Sequence, residues 1–280
     1  MKLACREHLL DLTEPRVMGV LNVTPDSFSD GGRYVDVAAA VERGAAMAEE
    51  GAAIVDVGGE STRPGAGPVT AAEELERVIP VIERLAARLS VPISVDTTKA
   101  EVMRAAIGAG ASLVNDVRAL REPGALEAVA ATGAAVCLMH MQGEPRTMQA
   151  APSYGDVVCD VRDFLAERVA ACLEAGIHRD RICIDPGIGF GKTLPHNLAL
   201  LAAIDRLGDR GMPVLIGVSR KSLVGIITGR PPEGRLAGSL AFAALAVARG
   251  AAIIRAHDVA ETVDAVKVAS ALKRAAAAEV

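Results

Sequence analysis

The sequence is poor in aromatic residues and has no excess of positive charge. Its 280 residues include four Phe, two Tyr and no Trp, so few side chains could stack on nucleic-acid bases. The formal net charge is -5 at pH 7 and the isoelectric point is near 5.6, which excludes a broad basic surface for phosphate backbones. We therefore expect no nucleic-acid partner.

Long apolar runs are also missing. Hydrophobic residues make up 51% of the chain, but Gly or charged residues interrupt them before they reach the roughly 18 residues of a membrane span. Residues 1–15 carry charges inside what would be the apolar part of a secretory signal. We expect no membrane partner and a cytoplasmic location.

The cysteines form no recognisable framework. There are five of them, and none stands in a C-x-x-C pair: Cys5, Cys137, Cys159, Cys172 and Cys183. An odd number without paired spacing favours neither disulfides nor a structural zinc site. We interpret them as small buried residues, with a reactive thiol as the alternative.

The main pattern is an alternation of short β-branched runs with longer, Ala-rich amphipathic segments, which is typical of repeated βα units. The predicted strands are Val17–Val23, Ala53–Val57, Ile93–Asp96, Leu113–Asp116, Ala135–His140, Ile182–Asp185, Val214–Val218 and Ile253–Ala256. The predicted helices include Asp36–Glu50, Ala71–Arg88, Glu101–Gly108, Asp156–Ala175, His196–Arg206 and Ser239–Arg249. Eight units predict an α/β fold of the (β/α)₈ TIM barrel type, forming one domain over residues 1–280. Residues 1–16 are expected to cover the barrel's N-terminal end.

Nearly every predicted strand ends in a polar residue. These residues are Asn22, Asp56, Asp96, Asn115, His140, Asp185, the run Ser219–Lys221, and Arg255 with His257. In a barrel all these ends lie on the face where such enzymes place their active sites. A single one of them, such as Asp116 or Ser219, could instead be a helix N-cap.

The basic strand ends are expected to form a cationic rim. Side chains two residues apart in a strand share a face, so Arg255 projects with His257, and Ser219 with Lys221. Such a rim can bind an anion.

The acidic and amide strand ends suit a flat, nitrogen-rich heterocycle. Asp96, Asn115 and Asp185 would face the rim in a pocket lined by Met139 and Phe190. Carboxylates accept hydrogen bonds from ring N–H and amino groups, while an amide or a lysine meets ring acceptors. The alternative is a network of salt bridges that only ties strands together.

Two Gly-rich loops follow the first two predicted strands, at Asn22–Gly32 and Gly58–Gly67. Loops of this kind can close over a site, although they can also be simple connectors. Thr62 and Arg63 could meet an anionic substrate, and Asn22 offers an oxygen ligand for Mg²⁺ bound to a diphosphate.

The segment Gly187–Thr193, GIGFGKT, is similar to a phosphate-binding loop but lacks its pattern. Pro186 and Lys192 stand where a Walker A motif and a dinucleotide fingerprint need Gly. We interpret it as a mobile turn after Asp185.

Seven successive motifs resemble the dihydropteroate synthase family, in order and over almost the whole chain. They are NVTPDSFSDGG (Asn22–Gly32), DVGGESTRPG (Asp56–Gly65), ISVDT (Ile93–Thr97), LVNDV (Leu113–Val117), DPGIGFGK (Asp185–Lys192), GVSRKS (Gly217–Ser222) and RAHDV (Arg255–Val259). We find no departure at a position that we regard as essential.

The resemblance implies a transferase of folate biosynthesis that joins 7,8-dihydropterin-6-ylmethyl diphosphate to p-aminobenzoate, releasing pyrophosphate. It implies pterin binding by Asp96, Asn115, Asp185 and Lys221, Mg²⁺ at Asn22, diphosphate binding by Arg255 and His257, and p-aminobenzoate binding by Thr62, Arg63, Pro64, Ser222 and Phe28. It also implies inhibition by sulfonamides and a homodimer. The last two helical segments, with wide apolar faces, make a dimer possible.

The implied chemistry agrees with the polar strand ends. Diphosphate can leave before the amine attacks, so the site must stabilise separating charges. Arg255 and His257 would act on the leaving group, Lys221 on the pterin, and Asp30 could lie near the reacting methylene. Two alternatives are a pterin-binding methyltransferase barrel, which has no use for an anion site at Arg255 and His257, and a non-catalytic pterin-binding homologue.

Overall fold

The computed structural model describes residues 1–24, 33–60, 67, 69–144, 147–208 and 211–278. The strands are β1 (Lys2–Cys5), β2 (His8–Asp11), β3 (Arg16–Asn22), β4 (Ile54–Gly58), β5 (Ile93–Asp96), β6 (Leu113–Asp116), β7 (Ala135–Met139), β8 (Ile182–Asp185), β9 (Leu215–Gly217) and β10 (Ile253–Ala256). The helices are α1 (Arg33–Glu49), α2 (Ala71–Arg88), α3 (Ala100–Gly108), α4 (Ala125–Ala130), α5 (Val157–Glu174), α6 (Leu194–Ala202), α7 (Ile204–Leu207), α8 (Ser222–Thr228), α9 (Leu236–Ala248) and α10 (Val259–Ala278).

Strands β3 to β10 form one parallel sheet that closes on itself. The hydrogen-bonded order is β8-β7-β6-β5-β4-β3-β10-β9. A parallel bridge between Ile184 and Val214 joins the two outer strands, and Ile184 N–H donates to the carbonyl of Pro213 at 2.9 Å. The predicted (β/α)₈ barrel is confirmed.

The strands are buried because helices cover the sheet outside and side chains fill it inside. Central positions such as Val55, Val95 and Val136 are fully buried. Four of the predicted strands have the predicted bounds, and in three of them an apolar run that ends in an aspartate marks the C-terminal limit. The predicted helix His196–Arg206 differs: Ala203 adopts a non-helical conformation and divides it into α6 and α7.

The N-terminal residues cover the N-terminal end of the barrel, as predicted. β1 and β2 pair as an antiparallel hairpin, and Leu3 and Cys5 pack into a fully buried apolar cluster with the first residues of the barrel strands. This cluster also contains Met18, Ile54, Leu113, Cys137, Cys183, Leu215 and Ile253.

The cysteines are free, and Cys5, Cys137, Cys172 and Cys183 are buried. Burial raises the pKa of Cys5 to about 12 and that of Cys172 to about 11. These thiols therefore remain protonated near neutral pH and serve as apolar packing groups.

Among the described helices, none combines the length and the apolar character that crossing a membrane requires.

Candidate active site

Arg255, in β10, joins two carboxylates at the C-terminal end of the barrel. Its Nε donates to Asp56 Oδ2 at 2.7 Å and its Nη2 donates to Asp96 Oδ2 at 2.8 Å. Asn115 Nδ2 also donates to Asp56 Oδ2, at 3.0 Å. Strands β4, β5, β6 and β10 thus each contribute one side chain to a single hydrogen-bonded group.

Asp56 is the central residue of this group, although the sequence had predicted no binding role for it. Its side chain is fully buried, and its second oxygen, Oδ1, has no hydrogen-bond partner among the described residues. The signal that could have identified it was its position at a strand end, where a carboxylate needs a basic partner once it is buried.

Within the group, one cation, Arg255, lies between two carboxylates. Burial acts to lower the pKa of Arg255, but the attraction of Asp56 and Asp96 outweighs it, so this pKa lies above its ordinary value. Burial raises the pKa of Asp96 to about 7, against the attraction of Arg255. Arg255 is therefore a permanent cation among carboxylates. Arg255 is paired with these carboxylates and is not an isolated member of the cationic rim expected from the sequence.

Lys221 and Asp185 form a second charged group at the same end of the barrel. Asp185 ends β8 and is 4% exposed, and its Oδ1 accepts from Gly187 N–H at 2.7 Å. Lys221 Nζ donates to the carbonyl of Ile188 at 2.5 Å and lies 4.7 Å from the centre of the Phe190 ring. Burial lowers the pKa of Lys221 to about 8, opposed by Asp185, and burial raises the pKa of Asp185, opposed by Lys221.

The segment Gly187–Thr193 is a tightly packed turn, whereas a mobile turn was expected from the sequence. Gly187, Gly189 and Gly191 have positive φ angles of 68°, 85° and 63°. A Cβ atom at Gly187 would lie 1.9 Å from the carbonyl oxygen of His140, so only glycine can occupy this position. The turn brings Phe190 over Lys221, and Met139, at the end of β7, packs in a small apolar cluster next to Phe190.

Backbone geometry after β9 places Lys221 at the start of α8. Arg220 has a left-handed φ of 58°, and its guanidinium is bound to the carboxylate of Asp258. His257 N–H donates to Ser219 Oγ at 3.2 Å, and its ring Nδ1 lies 3.1 Å from the same oxygen. Ser219 therefore links the end of β9 to the segment after β10. Ser222, the first residue of α8, is exposed to solvent.

Asn22 ends β3 close to Asp96. An ideal Cβ built on Gly58 would lie 3.9 Å from both Asn22 Oδ1 and Asp96 Oδ2, which places the amide at the edge of the Arg255 group. Within the described part of the chain, no three His, Cys, Asp or Glu residues form a metal-binding group. Such a sparse donor set is compatible with Mg²⁺, which keeps several waters and binds phosphate oxygens.

His140 follows β7 but does not join either charged group. Its Nδ1 lies 3.0 Å from Lys192 Nζ, and its ring packs edge-on against Phe164 with centroids 4.9 Å apart. Burial lowers the pKa of His140 to about 3, so the ring is neutral near pH 7. Its polar position at a strand end reflects packing rather than a place in the site.

Both ends of the second Gly-rich loop are attached to the barrel. Lys99 Nζ lies 2.5 Å from carboxylate oxygens of both Glu60 and the fully buried Glu74. Glu60 also accepts from Val69 N–H at 3.3 Å, across the loop. The candidate residues Phe28, Asp30, Thr62, Arg63 and Pro64 lie outside the described residues.

Comparisons with known proteins agree with this geometry. A family model described as pterin binding enzyme matches residues 18–257. The dihydropteroate synthase of Escherichia coli (strain K12) is 54% identical over 271 residues, covering 97% of this chain and 96% of the relative.

Solved structures agree in fold. A structure of the Yersinia pestis dihydropteroate synthase with a sulfonamide drug complex has a TM-score of 0.93 and 50% identity, covering 98% of this chain and 100% of that chain. The Xanthomonas albilineans dihydropteroate synthase with 4-aminobenzoic acid has a TM-score of 0.92 and 56% identity, covering 97% and 98%. The chain therefore belongs to the pterin-binding enzyme family and, within it, to the dihydropteroate synthases.

Proposed function

We propose that this chain condenses 7,8-dihydropterin-6-ylmethyl diphosphate with p-aminobenzoate to form 7,8-dihydropteroate and pyrophosphate. The observation that carries the proposal is the pair of buried charged groups at the C-terminal end of the barrel. One is Asp185 with Lys221, and the other is Arg255 with Asp56, Asp96 and Asn115. Family membership supports the synthase over a methyltransferase or a non-catalytic homologue.

The pterin would occupy the space between the two groups. Asp96 and Asp185 offer carboxylate oxygens to ring N–H and amino groups, while Lys221 and Asn115 offer donors to ring acceptors. Phe190 and Met139 would cover the flat ring with apolar surface. The mixture of donors and acceptors distinguishes a pterin from a purely apolar ligand.

The reaction would proceed by separation of charge. The bond between the pterin methylene carbon and the diphosphate oxygen breaks, and its electron pair leaves with the diphosphate. Arg255 and His257 would stabilise the negative charge on the leaving group, and Asp96 and Asp185 the delocalised pterin cation. Asp30 would lie near the methylene. The amine nitrogen of p-aminobenzoate then forms the new C–N bond and loses its proton to solvent.

Mg²⁺ would bind at Asn22 together with the substrate diphosphate. When bound, it would neutralise phosphate charge and so favour diphosphate departure. If turnover of both substrates persisted in excess chelator, the proposed role of Mg²⁺ would be refuted.

p-Aminobenzoate would bind against Ser222 and the residues Thr62, Arg63, Pro64 and Phe28. Support comes from the X. albilineans relative, solved with 4-aminobenzoic acid, and from the Y. pestis relative, solved with a sulfonamide drug complex. Sulfonamides resemble this substrate and would compete for the same position.

The protein would act as a homodimer in the cytoplasm. Leu245 on α9 and Val268 and Leu272 on α10 are large apolar residues with 62%, 71% and 73% of their surface exposed. Two copies could bury this patch against each other. Sedimentation of the double variant Leu245→Glu and Val268→Glu is expected to give a monomer. An unchanged dimer would place the interface elsewhere.

The activity is tested by mixing the two substrates with Mg²⁺ and measuring pyrophosphate release. Lys221→Ala and Asp185→Asn should each remove most of the affinity for a free pterin in calorimetry, because each takes away a charged group proposed to hydrogen-bond the pterin ring. Lys267→Ala is the matched control, since Lys267 is 74% exposed on α10. Unchanged pterin binding in both site variants would refute the assignment.

A further inference from the structure

Lys192 is a buried lysine that the proposed reaction does not use. It lies within the turn at Gly187–Thr193, after Asp185, and is 3% exposed. Its Nζ lies 3.0 Å from His140 Nδ1, 3.0 Å from the carbonyl oxygen of Phe190 and 3.4 Å from that of His140. These partners are neutral, and among the described residues no carboxylate pairs with it.

A buried ammonium without a carboxylate partner is costly. Burial lowers the pKa of Lys192 to about 7, against the attraction of Asp185. Asp185 on β8 attracts the ammonium and Lys221 at the start of α8 repels it, and the rings of His140 and Tyr154 lie close to it. Perturbed lysines of this kind concentrate at functional sites.

Lys192 links the turn at Gly187–Thr193 to the end of β7. Its bond to the Phe190 carbonyl ties the inner side of the turn to the end of β7, where His140 lies. From the same turn, the Ile188 carbonyl accepts from Lys221 Nζ and the Phe190 ring lies beside that ammonium. A displacement of the turn would therefore move both groups that place Lys221.

The turn has little free space on its other sides. A Cβ at Gly191 would lie 2.3 Å from the Gln142 carbonyl oxygen. On the outer side, Tyr154 O–H donates to the Gly191 carbonyl at 2.8 Å, and Gln149 Nε2 donates to the Gly189 carbonyl at 2.5 Å. The hydrogen bonds of Lys192 thus hold the inner side of the turn, while those of Tyr154 and Gln149 hold its outer side.

We propose that Lys192 is a positioning residue for the pterin subsite, acting through the turn at 187–193 to hold Phe190 and the Ile188 carbonyl around the Lys221 ammonium. The inference rests on the proposed function, because it takes Lys221 as a pterin-binding residue. It assigns Lys192 no contact with either substrate.

The test is Lys192→Met, which preserves the apolar stem and removes the hydrogen bonds. We expect the KM for the pterin diphosphate and the dissociation constant of a free pterin each to rise about tenfold, as for the loss of a buried hydrogen bond. The KM for p-aminobenzoate should change by less than about twofold. A variant that only loosens the fold would not separate the two substrates. Leu3→Ala is the control for general destabilisation, since Leu3 is fully buried at the opposite end of the barrel.

Tyr154→Phe provides a second test if Lys192→Met does not fold. It removes the outer bond to Gly191 from a half-buried side chain, and we expect a smaller rise, about threefold, in the pterin KM alone. Equal changes for both substrates, or no change, in the folded variants would overturn the inference. Absence of turnover by the unaltered protein would instead count against the proposed function.

Discussion

The two ends of the barrel are built on opposite chemical principles. At the N-terminal end, the first residues of the strands are apolar and the β1–β2 hairpin covers them. At the C-terminal end, charged side chains lie at or next to several strand ends, and Arg255 and Lys221 lie near buried carboxylates. The same eight strands run from one end to the other.

The difference separates stability from function within one fold. Apolar side chains at the covered end gain free energy simply by leaving water. Charged side chains at the other end are desolvated, and their partners compensate only in part. Substitutions at the two ends should therefore have distinct signatures.

The largest effect is expected at the charged end, for Arg255→Met. Because Asp56 is fully buried, the loss of its basic partner leaves an uncompensated carboxylate. The free energy of unfolding should fall by about 3–5 kcal/mol, and the chemical step should slow because diphosphate charge is less well stabilised. Urea unfolding and single-turnover kinetics measure the two effects.

Arg274→Ala is the matched control, because Arg274 is 61% exposed in its ion pair with Glu14. Its loss should cost about 1 kcal/mol or less. Similar losses for both arginine variants would contradict the contrast between buried and exposed pairs.

At the covered end, Leu3→Ala should reduce the free energy of unfolding by about 2–4 kcal/mol through loss of buried surface and creation of a cavity. The KM for both substrates should stay within about twofold of the original. Leu9→Ala, on the same hairpin at a position 59% exposed, should have little effect on stability. A substantial loss of substrate affinity in Leu3→Ala would show that the two ends are coupled.

Acid sensitivity is expected to originate at the charged end, at His140. Its pKa is lowered from 6.5 to about 3 in the folded protein. Between these values the unfolded chain binds a proton that the folded protein does not, so stability falls as the pH falls. The stability difference between the protein and His140→Asn should shrink by about 1.4 kcal/mol for each pH unit between 6 and 4.5.

Urea unfolding across this pH range measures that difference. His178→Asn, at an exposed position, is the control for the substitution itself. A difference that does not vary with pH for His140→Asn would mean that the buried ring is not the source.

The smallest effect is expected for Thr70→Ala, at the start of α2. Thr70 and Glu73 form a reciprocal capping box with each other's backbone N–H groups. Removing the hydroxyl should cost about 1 kcal/mol, and Thr70→Ser should restore most of it. Thermal unfolding of the two variants distinguishes the cap from a packing effect of the methyl group.

Much of the barrel could be predicted because its strands carry strong local signals. Ile93–Asp96 and Ile182–Asp185 were predicted with their observed bounds, since a buried run followed by a polar residue marks the end of a strand. The division of the predicted helix His196–Arg206 at Ala203 could not be predicted, because its residues favour helix throughout and the break depends on packing.

The sequence predicted where the candidate site lies in the barrel, but not which of its side chains are bonded to each other. Asp96, Asn115, Asp185, Lys221 and Arg255 do lie together at one end of the barrel. The partnership of Arg255 with Asp56 and the support of the turn by Lys192 were not predicted, because neither follows from spacing along the chain.

By itself, the sequence determined that eight strands alternate with helices and that their polar residues fall at one end, because periodicity and strand polarity are local properties. Only the tertiary structure decided which of those residues touch. Arg255 and Asp56 are 199 residues apart in the chain, and they meet because closure of the sheet at Ile184 and Val214 sets the register of every strand around the barrel.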